Sequence, residues 1–226
     1  MPVTAPFDRG SFFFTTFHGN ISDSLDQSLS GFHIDQTNQW DVDPDLGTIL
    51  LRSAVINNSA GHQVMSEFRR VASVAFNFHT TQEGRIRADI GVECTDNEFS
   101  LDSARVAQSI GRSAMSGSQR LFLTLRTLAT IAGKPLSMES EAKVEIQGYK
   151  SRRVKGGFHS SEPPPGPIVR TLESSGVVYP SGTDVTVLVG IMHLMDADVL
   201  NATYDGFIVS KFIIGAVDVT VIPSLP

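Results

Sequence analysis

Three aspartates at alternate positions are the residues of this sequence whose type and spacing best suit cation binding. Asp41, Asp43 and Asp45 lie in a run that ends at Gly47. Hard cations take several oxygen ligands, and closely spaced carboxylates can supply them. The run departs from a calcium loop because glycine is its seventh residue, not its sixth, and its twelfth residue is Arg52 in place of a glutamate. Two interpretations follow, a Ca²⁺ site or a polar turn that leads into a strand.

A basic and proline-rich segment, Lys150–Pro167, interrupts the otherwise mixed composition. It carries four cations within six residues and then four prolines, which stiffen the chain towards polyproline II. We expect a long surface loop, and we expect its cations to contact an anionic partner, either an acidic neighbouring subunit or nucleic acid. The cations are Lys150, Arg152, Arg153 and Lys155.

An aromatic group near the start of the chain is the next candidate for a contact with a partner. Such an apolar segment has to be buried, either in its own sheet or against another subunit. The members are Phe12, Phe13, Phe14 and Phe17. We treat residues 1–46 as an N-terminal segment that contains this assembly arm.

A polar set of side chains on two predicted strands could bind a carboxylate, a phosphate or the hydroxyl groups of a sugar. Paired across a hairpin, these strands place His79 opposite Arg85 and Asn77 opposite Arg87, on one face of a sheet. The alternative is a solvated face with cross-strand pairs. The candidate ligand-binding residues, together with an indole that suits stacking on a sugar ring, are Trp40, Asn77, His79, Arg85, Arg87 and Asp89.

The sequence offers little for covalent or acid–base catalysis, and no catalytic residue is predicted. Around Ser113, the position where a nucleophile elbow needs its second glycine is occupied by Met115. Six histidines are scattered without metal-binding spacing, and His193 continues an apolar strand face, which predicts a histidine at the edge of the core. Cys94 is the only cysteine, ends an alternating apolar face, and is predicted to be a small buried side chain.

The overall composition restricts the class of protein. The 226 residues hold 18 Lys+Arg and 24 Asp+Glu, a net charge of −6, with 41% hydrophobic and 19% charged residues. This balance is too apolar for a disordered chain and lacks the basic excess of proteins that bind phosphate backbones, so it argues against nucleic acid as a partner. No apolar stretch approaches a membrane span. Residues 1–10 do not resemble a signal peptide, so we expect a cytoplasmic or particle-associated protein.

Alternation of apolar and polar residues is the dominant pattern. It is clearest at Val64–Phe78 and Arg85–Cys94, which the turn Thr80–Gly84 predicts to be a hairpin. Because the first of these strands is long, we expect a bend or bulge near Arg69–Arg70. Gly215 predicts a bulge or bend, and Ile21–Ser30 is the best helix candidate. Leu101–Met115 fits either a weak helix or a strand. Further strands are predicted at Gly47–Asn57, Gln119–Ile131, Met138–Tyr149, Thr183–His193 and Gly206–Ile222.

These strands, with short turns and no βαβ rhythm, predict an all-β fold. We expect one domain over residues 1–226, an antiparallel two-sheet sandwich of jelly-roll type with at most one or two short helices. For function we expect a non-enzymatic subunit that assembles into a homo-oligomer or larger particle, and specifically a coat, decoration or tail protein of a virus or phage. The alternatives are a carbohydrate-binding module, with or without the assistance of calcium, and then a jelly-roll enzyme; no cofactor other than calcium is considered.

Overall fold

A computed structural model describes residues 1–7, 14–21, 31–34, 39–61, 63–106, 111–130, 137–152, 154–164 and 166–223. Within them the chain forms strands and turns, and no described residue is helical. The strands, numbered along the chain, are β1 (Pro2–Thr4), β2 (Phe14–Ile21), β3 (Gly31–Ile34), β4 (Gln39–Asp43), β5 (Thr48–Asn58), β6 (Gln63–His79), β7 (Gly84–Arg105), β8 (Ala114–Thr130), β9 (Ser137–Ser151), β10 (Gly156–Ser160), β11 (Pro167–Glu173), β12 (Asp184–Leu200) and β13 (Ala202–Pro223).

The described strands form two antiparallel sheets. The first sheet has eight strands in the order β10-β7-β13-β5-β3, with β11 also beside β7, β1 beside β13 and β4 beside β5. The second sheet has five strands in the order β2-β6-β12-β8-β9. The predicted all-β antiparallel sandwich is therefore confirmed.

From β5 onwards the strands pair in a nested order, in which the earliest strand pairs with the last and each following strand pairs with one nearer to it in sequence. The strand β5 pairs with β13, β6 with β12, β7 with β10 and β11, and β8 with β9. The first half of the chain is thus wound against the second half, and the two halves share both sheets. This winding is the jelly-roll arrangement, which closes a sandwich from antiparallel strands.

Alternating side chains explain why the two sheets stack. Along β7, Ile86, Ala88, Ile90 and Val92 are buried while the residues between them face outwards. Each fully buried Val or Ile side chain contributes about 1.5–3 kcal/mol of transfer free energy. The core includes residues from both sheets, so burial of these faces holds the sheets together.

The predicted hairpin between the strands around Val64–Phe78 and Arg85–Cys94 is wrong. The strands β6 and β7 belong to different sheets, and His79 pairs with Asp184 whereas Arg85 pairs with Ile222. The turn is anchored elsewhere, because the amide of Thr80 donates to the carbonyl of Thr183 at 2.9 Å. The connection therefore crosses from one sheet to the other.

Several element predictions also need adjustment. Pairing along β6 has no register shift, so there is no bulge near Arg69–Arg70, whereas the register shift between Ile214 and Ala216 confirms the bulge at Gly215. The expected loop Lys150–Pro167 begins inside β9, contains β10 and ends where β11 starts. Of the predicted helix Ile21–Ser30, the first residue ends β2 and the others lie outside the described residues.

The start of the chain is integrated into the sandwich. The strand β1 pairs with residues 216–218 of β13, and the side chain of Phe7 is buried in the core near Phe76, with 6.2 Å between ring centroids. Of the predicted aromatic arm, Phe12 and Phe13 lie outside the described residues. Phe14 and Phe17 belong to β2, at an edge of the second sheet.

Candidate functional site

The predicted ligand-binding side chains fall into two groups on different sheets. Asn77 and His79 are exposed on the outer face of the second sheet. The Nδ1 atom of His79 lies 2.8 Å from Oδ1 of Asp184, and the hydroxyl of Thr186 donates to the Asn77 side-chain oxygen at 3.2 Å. Both residues are thus engaged with β12, the strand that actually neighbours β6.

The remaining members lie on the outer face of the first sheet. Arg85 pairs with Glu173 at 2.9 Å, and Arg87 lies 3.5 Å from Asp89, which also accepts a hydrogen bond from the hydroxyl of Thr171. The core separates this group from Asn77 and His79. The prediction of one face carrying all five residues is therefore wrong, because it depended on a hairpin that does not form.

The acidic run and Trp40 lie at an open edge of the first sheet. Asp43 Oδ1 accepts the amide hydrogens of Asp45 at 3.0 Å and Leu46 at 3.2 Å, so this carboxylate caps the turn between β4 and β5. The described part of the chain contains no group of three or more His, Cys, Asp or Glu side chains placed to hold a metal ion. The carboxylates of Asp41, Asp43 and Asp45 therefore do not converge on a common metal position. The Trp40 side chain beside them is 42% exposed.

The basic segment contributes Arg152 to an open cleft at the end of the second sheet. Arg152, after β9, and Arg112, which precedes β8, both line a cavity of about 450 Å³. We call this cavity with its flanking cations the basic cleft. It is lined by the polar residues Gln63, Arg112, Ser116, Arg152 and Asp198 and by the apolar residues Ala114, Met115 and Leu200. Lys150, near the end of β9, and Lys155 are exposed cations close to Arg152 in sequence. Arg153 lies outside the described residues.

The electrostatics of the basic cleft favour an anion. Both carboxylate oxygens of Asp198 lie 2.7 Å from the Gln63 amide nitrogen, so an amide, and not an arginine, satisfies the acidic group of the cleft. Among the described residues, none of the ion pairs within 4.0 Å involves Arg112 or Arg152, nor Lys150 or Lys155. The Lys150–Lys155 part of this cluster is predicted from the sequence. Arg112 is not, because it lies forty residues away from Arg152 in the chain.

A buried hydrogen-bond chain through His193 is the second feature that sequence analysis missed. The imidazole is fully buried, and its Nδ1 and Nε2 atoms each lie 3.0 Å from a serine hydroxyl, Ser53 on β5 and Ser210 on β13. Burial, with the nearby Arg70 guanidinium, lowers the pKa of His193 to about 3. The ring is therefore neutral at physiological pH.

The neighbouring bonds assign the direction of this chain. Ser210 donates its hydroxyl hydrogen to Asn97 at 2.9 Å, so its oxygen accepts from Nε2–H of His193, and Nδ1 accepts from Ser53. The Asn97 amide donates to Gln147 at 2.6 Å, and the Gln147 amide donates to the Tyr149 hydroxyl at 2.8 Å. This series of hydrogen bonds connects strands of both sheets through the core.

Two candidate nucleophiles lack a catalytic setting. The Cys94 side chain is buried, as predicted, and burial raises the pKa of its thiol to about 12, which leaves the thiolate essentially unpopulated at neutral pH. Ser113 directly precedes β8, so its context is loop to strand and not the strand–turn–helix of a nucleophile elbow.

Comparison with protein-family models and with curated protein sequences finds no match to this chain. Within the described residues, no helix has the length and apolar character needed to cross a membrane.

Proposed function

We propose that this protein is a non-enzymatic structural subunit that works by assembling with its neighbours, as a coat, decoration or tail component of a virus or phage particle. One observation carries the proposal. The inner faces of both sheets are used for packing, while a cleft with two arginines outside any described ion pair lies open at one end of the sandwich. Recognition is therefore left to the surface.

The winding of the strands supports this proposal at the level of architecture. Jelly rolls occur in viral capsid proteins, in lectins and in cupins. In a site built inside the sandwich, polar side chains would have to face the core. Here the inward residues of the central strand β12 are mainly apolar, and His193 on the same face is held between two serines. An interior packed in this way fits a structural role better than a binding site inside the sandwich.

The outer face of the first sheet gives a second line of support. Phe207, Val209 and Ile213 of β13 point away from the core and are half-buried, beside Ile56 of β5. An antiparallel sheet with one face in water normally carries polar residues at such positions. A neighbouring subunit seated on this face would remove these side chains from water.

A charge placed on this face is expected to weaken assembly. In Ile213→Lys the new ammonium would lie opposite Glu93, its partner in register on β7, so the variant is expected to fold. Sedimentation velocity should show a smaller assembly than the wild-type protein forms. The matched control is Thr81→Lys, at an exposed position of the turn between β6 and β7 and away from this face, which should sediment like wild type. Equal sedimentation of the two variants would contradict a role for this face.

Carbohydrate binding is the second candidate, and the exposed indole of Trp40 next to Asp41 favours it. An exposed aromatic ring beside a carboxylate can stack on a sugar and accept its hydroxyl hydrogens. A glycan array probed with wild type and with Trp40→Ala, with and without a chelator, tests this function. We expect binding by wild type alone, and an array without bound wild-type protein in either condition would remove this candidate.

A further inference from the structure

We propose that the subunits join head to tail, with the basic cleft of one copy holding the acidic β4–β5 hairpin of a second copy. The acidic hairpin is the segment Trp40–Gly47. This inference rests on the proposed assembly function and names the two surfaces that meet. It requires only features of this chain, because one copy supplies the cations and the next supplies the carboxylates.

The acidic hairpin has the charge and exposure that this contact needs. It carries Asp41, Asp43 and Asp45 and no lysine or arginine, so its formal charge is −3. Asp41 and Asp45 are exposed, and Leu46 at the tip of the turn is 66% exposed. None of the ion pairs among the described residues uses these three aspartates.

The fold keeps the two surfaces apart within one copy. The acidic turn precedes Thr48 at the start of β5, whereas the basic cleft begins at Gln63, just after the end of β5 at Asn58. Eleven residues of extended strand separate these ends by about 33 Å. A side chain cannot bridge that distance, so the cleft and the hairpin of one copy cannot neutralise each other.

Two different surfaces that fit each other produce a heterologous contact. Repeated from copy to copy, such a contact closes into a ring if the rotation allows, or it continues as a filament. The cleft volume of about 450 Å³ lies within the range of sites that enclose a small group of atoms, which suits the tip of a turn carrying carboxylates. A shell or tail ring built from one chain needs a contact of this kind.

Charge also favours a second copy over a nucleic acid as the occupant. The chain has a net charge of −6, which would repel a polyanion at long range but leaves acidic surface available to a neighbour's basic cleft. The residues lining the cleft include no aromatic ring on which a base could stack. A carboxylate-bearing hairpin needs only the cations.

Charge reversal tests the contact. The cleft variant Arg112→Glu/Arg152→Glu and the hairpin variant Asp41→Lys/Asp45→Lys each place like charges in the contact, and Asp43 is kept because it caps the turn. Each variant alone should associate at least about tenfold more weakly than wild type in light scattering. An equimolar mixture should recover association, because each reversed surface then meets its complement. The control Lys143→Glu/Arg170→Glu, at exposed cations outside the cleft and the hairpin, should behave as wild type.

The outcomes separate this inference from the function on which it rests. If wild type assembles but the mixture of reversed variants does not recover, the head-to-tail contact is wrong and the assembly function stands. Loss of binding to a single-stranded oligonucleotide in the cleft variant, with assembly unchanged, would overturn the inference in favour of a nucleic-acid site. If wild type does not associate, the assembly function itself fails. Circular dichroism of each variant establishes that the sandwich is folded.

Discussion

Replacing His193 with leucine is expected to lower the free energy of unfolding at neutral pH by about 2–4 kcal/mol. The leucine fills much of the same space, but it leaves the hydroxyls of Ser53 and Ser210 without the imidazole that both contact at 3.0 Å. An unsatisfied buried polar group costs about 1–3 kcal/mol. Urea denaturation measures the loss. The double variant Ser53→Ala/His193→Leu should recover part of it, and a double variant no more stable than the single one would contradict the account.

The pH dependence of the same protein provides an independent check. An unfolded histidine binds a proton below about pH 6.5, whereas His193 in the fold stays neutral until about pH 3. The unfolded state therefore binds the extra proton between these values, and His193 lowers stability as the pH falls through this window, by up to about 1.4 kcal/mol per pH unit. His193→Leu should lack this contribution, so its stability should fall less steeply with acid. Parallel pH profiles for both proteins would contradict the buried neutral imidazole.

Replacing Gly190 with alanine is expected to destabilise the second sheet by about 2–4 kcal/mol. Gly190 lies in β12, between β6 and β8, and a Cβ atom there would stand 2.3 Å from the backbone carbonyl oxygen of Ala72. Backbone of a central strand has to move to relieve this overlap. The change is measured as the shift in the urea midpoint with the slope unchanged.

Gly91 provides the matched control for that substitution. A Cβ atom at Gly91 in β7 would meet the carbonyl oxygen of Ala216 at 3.4 Å, close to an ordinary contact. Gly91→Ala should therefore change stability by less than about 1 kcal/mol, since the smaller entropy of the unfolded alanine chain offsets small adjustments. Equal losses at the two positions would show that close backbone approach is not what requires glycine in β12.

Alternation in the sequence was sufficient to predict the long strands and their buried faces, because a side-chain period of two is a local property, whereas the short strands β10 and β11 fell in or next to a predicted loop. Pairing was harder to predict, since β5 pairs with β13 across some 150 residues and no local signal marks that partner. The turn after His79 shows the difficulty. The same polar residues can close a hairpin or connect two strands of different sheets. In this protein they connect β6 of the second sheet to β7 of the first.

The candidate site was predictable to the same limited degree. The cations from Lys150 to Lys155 are adjacent in sequence, so their density was visible, whereas Arg112 joins Arg152 only because β8 and β9 are neighbours. His193 was predicted at the edge of the core, and the structure places it fully inside. Its serine partners lie 140 and 17 residues away, on strands that the jelly-roll winding brings together.

The mass of the wild-type protein in solution tests the central claim most directly. The monomer has a mass of 24.5 kDa. Multi-angle light scattering across the micromolar range should give a mass that rises with protein concentration to a multiple of this value. Because the proposed contacts include exposed charges, added salt should lower that mass. A mass of 24.5 kDa at every concentration and salt level would contradict a subunit that works by assembly.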